Sequence, residues 1–184
     1  MTDASRPTVD AVGSGWPIDP RTGEPRRPWL AWLGGGLLFS AAAVVVVALL
    51  LVMWDSVTRF PEAAWLNRVV PTNLGDPVRV LLVVGDFAIA LIVSVAAVIA
   101  GFYGWAGHRW ARWASLVALG LGAGTFALNW LAPWGLLPLA AGAVLWWLPP
   151  LRGFFAAWDA VRHPQPARRE RPAGVVYGPL PRYR

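Results

Sequence analysis

The sequence predicts an all-α, polytopic membrane protein: a four-transmembrane-helix bundle with both termini in the cytoplasm. Three observations carry that reading. The chain holds four long apolar stretches, tryptophan edges them, and arginine is massed on alternate sides. Ten of the 13 tryptophans lie at or near a stretch end: Trp29, Trp32, Trp54, Trp105, Trp110, Trp113, Trp130, Trp134, Trp146 and Trp147. An indole joins a large apolar ring to one N–H donor, so it is well matched to the lipid headgroup level. Trp29, Trp32, Trp54, Trp110, Trp113, Trp130 and Trp134 are therefore expected to be interfacial anchors.

Composition supports the same class. The chain is 57% hydrophobic and 14% charged, whereas a soluble domain carries about 25% charged residues and cannot bury this much apolar surface in so small a core. All 16 basic residues are arginine; the avoidance of lysine points to GC-rich coding and a bacterial source. The absence of cysteine excludes disulfides, thiolate metal sites, thiol redox chemistry and cysteine lipidation. Residues 1–28 are too long and too acidic for a secretory n-region, so the first apolar segment is expected to be a retained membrane helix.

The expected spans cover residues 30–54, 80–103, 114–131 and 134–148, with an outer loop over 55–79. A spanning helix needs about 20 residues to cross a core of roughly 30 Å. The first three satisfy this or come close. The fourth is short, with Pro138 suited to a first helical turn and Pro149-Pro150 marking its end. It either spans a thinned bilayer or re-enters from one side. In the outer loop, Pro61 and Glu62 mark a helix start, and Trp65, Leu66, Val69 and Val70 form an apolar side for the outer interface.

Arginine sets the orientation. Four spans place Arg6, Arg21, Arg26 and Arg27 on one side with Arg109, Arg112 and the seven arginines of the C-terminal part. The opposite side holds only Arg59, Arg68 and Arg79, balanced by Asp55, Glu62 and Asp76. The positive-inside rule puts both termini in the cytoplasm. Residues 1–28 read as a flexible tail, and 149–184 as a basic, proline-rich tail that could meet anionic lipid headgroups. Within the latter, Phe154, Phe155, Trp158 and Val161 recur at helical spacing, predicting a short interfacial helix over 151–162 or a continuation of segment four into the headgroups.

Asp86 breaks the pattern. It lies about 12 Å inside segment two, counting about 1.5 Å per residue from Val78. A charged aspartate there costs at least ~2.5 kcal/mol on insertion scales, so it must face protein or water, or carry a proton. Segment three runs the other way and brings Thr125 and Asn129, four residues apart, to a similar depth. Asp86, Thr125 and Asn129 are thus a candidate polar cluster that ties helices together, meets another subunit or couples to a proton or cation. The same helix carries small residues in line with it, Ala90, Ser94, Ala97, Gly101 and Gly104, a face expected inside the bundle. Gly36-x-x-x-Ser40 and Gly120-x-x-x-Gly124 are two further candidate contact faces.

No nucleophile elbow, phosphate loop or metalloprotease motif occurs, and His108 and His163 stand apart without carboxylates at ligand spacing. No metal, cofactor, nucleic-acid partner or catalysis is therefore expected. The expected function is that of a small bacterial inner-membrane protein serving as an accessory or assembly subunit beside other membrane proteins. The alternative is a small proton- or solute-coupled transporter or channel component built on Asp86; a lipid-surface sensor is the third.

Overall fold

The computed structural model describes residues 15–164; residues 1–14 and the arginine-rich stretch 165–184, the expected lipid-binding tail, lie outside them. Among the described residues every regular element is helical, apart from one isolated bridge between Ile18 and Pro25. Two helices, α1 (Trp29–Thr58) and α4 (Pro77–Trp105), are each long and apolar enough to cross a membrane. Between them the connecting loop, called the outer loop after the side the sequence predicts for it, carries two short helices, α2 (Phe60–Ala63) and α3 (Trp65–Val69).

Local chemistry explains the limits of α4. The Asp76 carboxylate accepts a hydrogen bond from the Val78 N–H at 2.9 Å, and Pro77 occupies the first turn, where its missing N–H does no harm. At the other end Gly107 takes φ +79°, the left-handed conformation that stops a helix. In the outer loop Pro61 does open a helical turn, as its sequence position implies, but Ala64 is extended and divides the loop helix into α2 and α3.

The second half of the chain departs from two regular spans. Segment three is helical as α5 (Ala111–Gly122), tightens into a 3-10 segment, Ala123–Ala127, and leaves helical backbone at Leu128. Three glycines within residues 120–124 weaken the helix there. Segment four comprises a 3-10 segment, Ala132–Gly135, followed by α6 (Leu136–Leu145). The 12 residues of α5 and the 10 of α6 extend about 18 and 15 Å, well under a bilayer core. A break at Leu148, extended before Pro149-Pro150, starts α7 (Pro149–Arg162), which turns by 67° from the preceding helix.

The elements pack α1 on α4, α4 on α5, α5 on α6 and α6 back on α1. Toward the arginine-rich end, one core cluster joins Leu38, Ala97, Leu139 and Trp146 to Leu151, Phe154 and Phe155 of α7. A second cluster toward the outer loop contains Val45, Val52, Ala90, Val93 and Leu128. Large apolar side chains face outward around the bundle, including Leu50 of α1, Leu81 and Ile92 of α4, Val117 of α5 and Leu137 of α6. So extensive an exposed apolar surface fits a lipid environment.

Small residues decide how closely the helices approach. Asp86, Ala90, Ser94, Ala97, Gly101 and Gly104, aligned in the sequence, are all buried. The other two small-residue motifs are placed differently. Gly36, Ser40 and Gly120 are exposed, whereas Gly124 would place a Cβ 3.1 Å from Ile89 Cγ2, and further close approaches fall on Gly34 and Gly122. Trp146, one of the edge tryptophans, is fully buried, with its ring against Gly34 and Gly104. A Cβ on Gly104 would lie 2.6 Å from Cε2 and Cζ2 of Trp146, whereas one on Gly36 would meet nothing within 4 Å. The N-terminal segment is also drawn in. Residues 15–28, expected to belong to a flexible tail, form a turn in which the Trp16 indole donates to the Arg26 carbonyl at 2.9 Å while its ring packs on Phe154.

Gly104→Ala is expected to destabilise the protein by about 1–3 kcal/mol through overpacking. Gly36→Ala, at an outward helical site, should be neutral or slightly stabilising. Unfolding of both variants in mild detergent measures the difference; equal stabilities would show that the Trp146 ring has room to move.

Candidate functional site

Asp86 sits about 13 Å from the start of α4, counting nine residues from Pro77 at about 1.5 Å each. It is fully buried, and neither carboxylate oxygen meets a hydrogen-bond donor among the described residues. Its neighbours one turn away along the same face, Leu82 and Ala90, are buried and apolar. Burial of a carboxyl without partners is costly, so this position stands out chemically from the rest of the outer core.

The other two members of the sequence-derived cluster are engaged elsewhere. Thr125, fully buried, donates its hydroxyl to the Gly122 carbonyl at 2.7 Å. This is the local back-bond available to a short hydroxyl side chain on a helical segment. Asn129 does join helices, but the partner is α1: its Nδ2 donates to the Ala48 carbonyl at 2.9 Å. Its Oδ1 accepts from the N–H groups of Leu131 and Ala132, both at 3.1 Å, and so supports the turn into Ala132–Gly135. The expected hydrogen bond from Asp86 to Thr125 or Asn129 is absent among the described residues. The 3-10 winding after Gly122 and the irregular backbone at Leu128 replace the regular helix on which that register rested.

Asn129 and Trp130 also line a groove of about 290 Å³ with Glu62, Trp65, Arg68 and Phe126. The groove forms where the outer loop meets the turn between segments three and four. The Trp65 N–H donates to the Leu128 carbonyl at 2.8 Å, joining these two regions. Asn67, buried in the same loop, donates to the Phe60 carbonyl at 3.2 Å, and the Arg79 guanidinium lies 3.9 Å from the centroid of the Phe60 ring. The loop is therefore anchored by its own polar contacts. The sequence signalled its apolar side but not Asn67, because an isolated loop asparagine is ordinarily solvated.

At the arginine-rich end, α7 lies against the bundle. Leu151, Phe154, Phe155 and Trp158 are buried within the protein, although periodicity alone assigned this side to the membrane surface. Arg162 donates to the Gly107 carbonyl at 2.9 Å and to that of Ala106, thereby clasping the C-terminal end of α4. A cation is favoured there because a helix C-terminus presents unpaired carbonyls and a negative dipole end. Arg109 pairs with Asp159 at 3.1 Å, and Arg27 stacks over Trp105 and Trp158. All seven expected anchor tryptophans, Trp29, Trp32, Trp54, Trp110, Trp113, Trp130 and Trp134, are exposed by 45% to 75%, unlike the buried Trp146.

No protein-family model, curated protein or solved structure matches this chain.

His108, in the turn after α4, lies edge-on to Tyr103 with ring centroids 5.0 Å apart. Partial burial, with the nearby positive charge of Arg162, lowers its pKa below the ordinary imidazole value. The unfolded chain therefore takes up this proton first as pH falls through about 6.5. Stability from a neutral His108 is fully present above that pH and is lost toward the lower folded-state pKa. His108→Asn should flatten the fall in melting temperature between about pH 7 and 5. Melting curves in detergent across that range test it, and identical slopes for variant and wild type would count against it.

Proposed function

We propose that this chain is a small four-span protein of a bacterial inner membrane, with both termini on the cytoplasmic, arginine-rich side. It acts there as a non-catalytic accessory or assembly subunit of a larger complex. In this reading the shorter α5 and α6 complete the bundle beside α1 and α4. The apolar exterior and the exposed tryptophans support membrane residence, and the unequal distribution of arginine supports the orientation.

The single observation that favours an accessory role is the contrast between the interior and the outer face. The helices meet through alanine and glycine, with the Trp146 ring filling the space they leave. The groove containing Glu62, Arg68 and Asn129 lies instead at the outer surface. Polar and aromatic groups together at a surface suit recognition of another protein. Purification of the tagged full-length chain in mild detergent, followed by native mass spectrometry, is expected to recover a companion in fixed stoichiometry. Recovery of this chain alone at every detergent strength would argue decisively against the proposal.

A second reading, a proton- or solute-coupled transporter or channel component, draws on one observation: the fully buried and unpartnered Asp86. That reading expects Asp86→Asn to reduce proton or solute flux in proteoliposomes by an order of magnitude or more. Flux equal to wild type would remove Asp86 as the coupling group.

A further inference from the structure

Positive charge gathers at the junction of α5 and α7, where Asp159 is the one acid in an ion pair among the described residues. Arg112 stands in the first turn of α5 and Arg152 in that of α7. Neither helix has an acidic residue in its first turn or a side-chain cap. A helix N-terminus is itself a positive dipole end that favours an anion, so arginine at both ends compounds an unfavourable field. The Arg112 guanidinium lies over Phe155, three residues beyond Arg152 in α7, which brings α5 and the first turns of α7 together. Among the described residues the local carboxylate is Asp159, which pairs with Arg109 and His163; Arg112 and Arg152 form no ion pair.

Arg112 is also held in place. Its guanidinium lies 4.7 Å from the centroid of the Phe155 ring and 5.8 Å from that of Trp147, and its Nε is buried without a hydrogen-bond partner. From this point an exposed apolar stripe ascends α5: Trp113, Leu116 and Val117, then Gly120 and Leu121. Gly120 has open space where a side chain would stand, which lowers the surface along the stripe. The Trp113 ring meets Trp147 edge-on at 5.0 Å, joining the stripe to the region of the arginines.

We propose that Arg112 and Arg152, with Arg109 beside them, bind the phosphate of an anionic phospholipid whose acyl chain lies along Trp113, Leu116 and Val117. A soluble phosphate compound would use the cations but leave the apolar stripe idle, whereas a phospholipid supplies an anion and a hydrocarbon chain in the same order as the surface. The arginines of this site all lie within residues 15–164. It rests on the membrane placement proposed above, but on neither an accessory nor a transport role.

The test uses the full chain in nanodiscs or mild detergent, titrated with phosphatidylglycerol or phosphatidylcholine and read by native mass spectrometry. Wild type is expected to retain phosphatidylglycerol at least tenfold better than phosphatidylcholine, and Arg112→Gln with Arg152→Gln to lose most of that preference. Arg152→Gln alone alters an exposed side chain and should lose part of it, which keeps the proposal testable if the double variant does not fold. Full-length chains carrying Arg21→Gln with Arg26→Gln, or Arg168→Gln with Arg169→Gln, should bind as wild type. A preference unchanged in Arg152→Gln, or equally reduced in the control chains, would overturn the site in favour of diffuse charge attraction. Displacement of the lipid by equimolar inorganic phosphate would also overturn it, identifying a soluble anion as the ligand. A lone chain that still prefers phosphatidylglycerol would reject the accessory role and leave the lipid site standing.

Discussion

The arrangement depends on one large ring placed where two helices have no side chains. Trp146 leaves α6 and fills the space between Gly34 of α1 and Gly104 of α4, with Phe155 of α7 edge-on at 5.9 Å. Within lipid, helices gain little from hiding apolar surface from one another, so close shape matching and dispersion supply most of their attraction. A glycine on each side lets an indole serve as the common contact of four helices. The same constraint explains why the buried faces of α1 and α4 contain so much alanine and glycine while their outward faces carry leucine, valine and isoleucine.

That contact also organises the arginine-rich end. With Trp146 and Phe155 together, α7 can fold across the bundle and bring Trp158 against Gly107, the residue whose positive φ ends α4. Arg162 then satisfies carbonyls that the terminated helix would otherwise leave open. The arginines are consequently not a uniform cloud. Arg162 and Arg109 have definite partners at the end of α4 and on α7, while Arg112 lies over Phe155 of α7 and neither it nor Arg152 forms an ion pair among the described residues. A charge count cannot distinguish these conditions, although they imply different chemistry.

The half of the bundle beside α2 and α3 works by different means. Valine and alanine fill its core, and hydrogen bonds from Asn129 and Trp65 attach α1 and the outer loop to the turn between segments three and four. Asp86, buried on α4 one turn from Ala90 of this core, shares in none of these hydrogen bonds. Its carboxyl and the Ser94 hydroxyl two turns further along α4 are both buried without a hydrogen-bond partner among the described residues.

Much of this was legible in the sequence because it depends on local composition and period. The apolar length of α1 and α4, the helical turn at Pro61 and the outward tryptophans all follow from residues close together in the chain. The aligned small face from Asp86 to Gly104 follows from helical periodicity alone. Tertiary structure decided which glycine of α1 is used, Gly34 rather than Gly36, because that depends on which helix carries a complementary ring. It also turned the apolar side of residues 151–162 toward protein, drew residues 15–28 onto α7, and directed Asn129 to α1 rather than α4. These outcomes require contacts between residues tens of positions apart, and a hydrophobic period states only that a face must be covered, not by what.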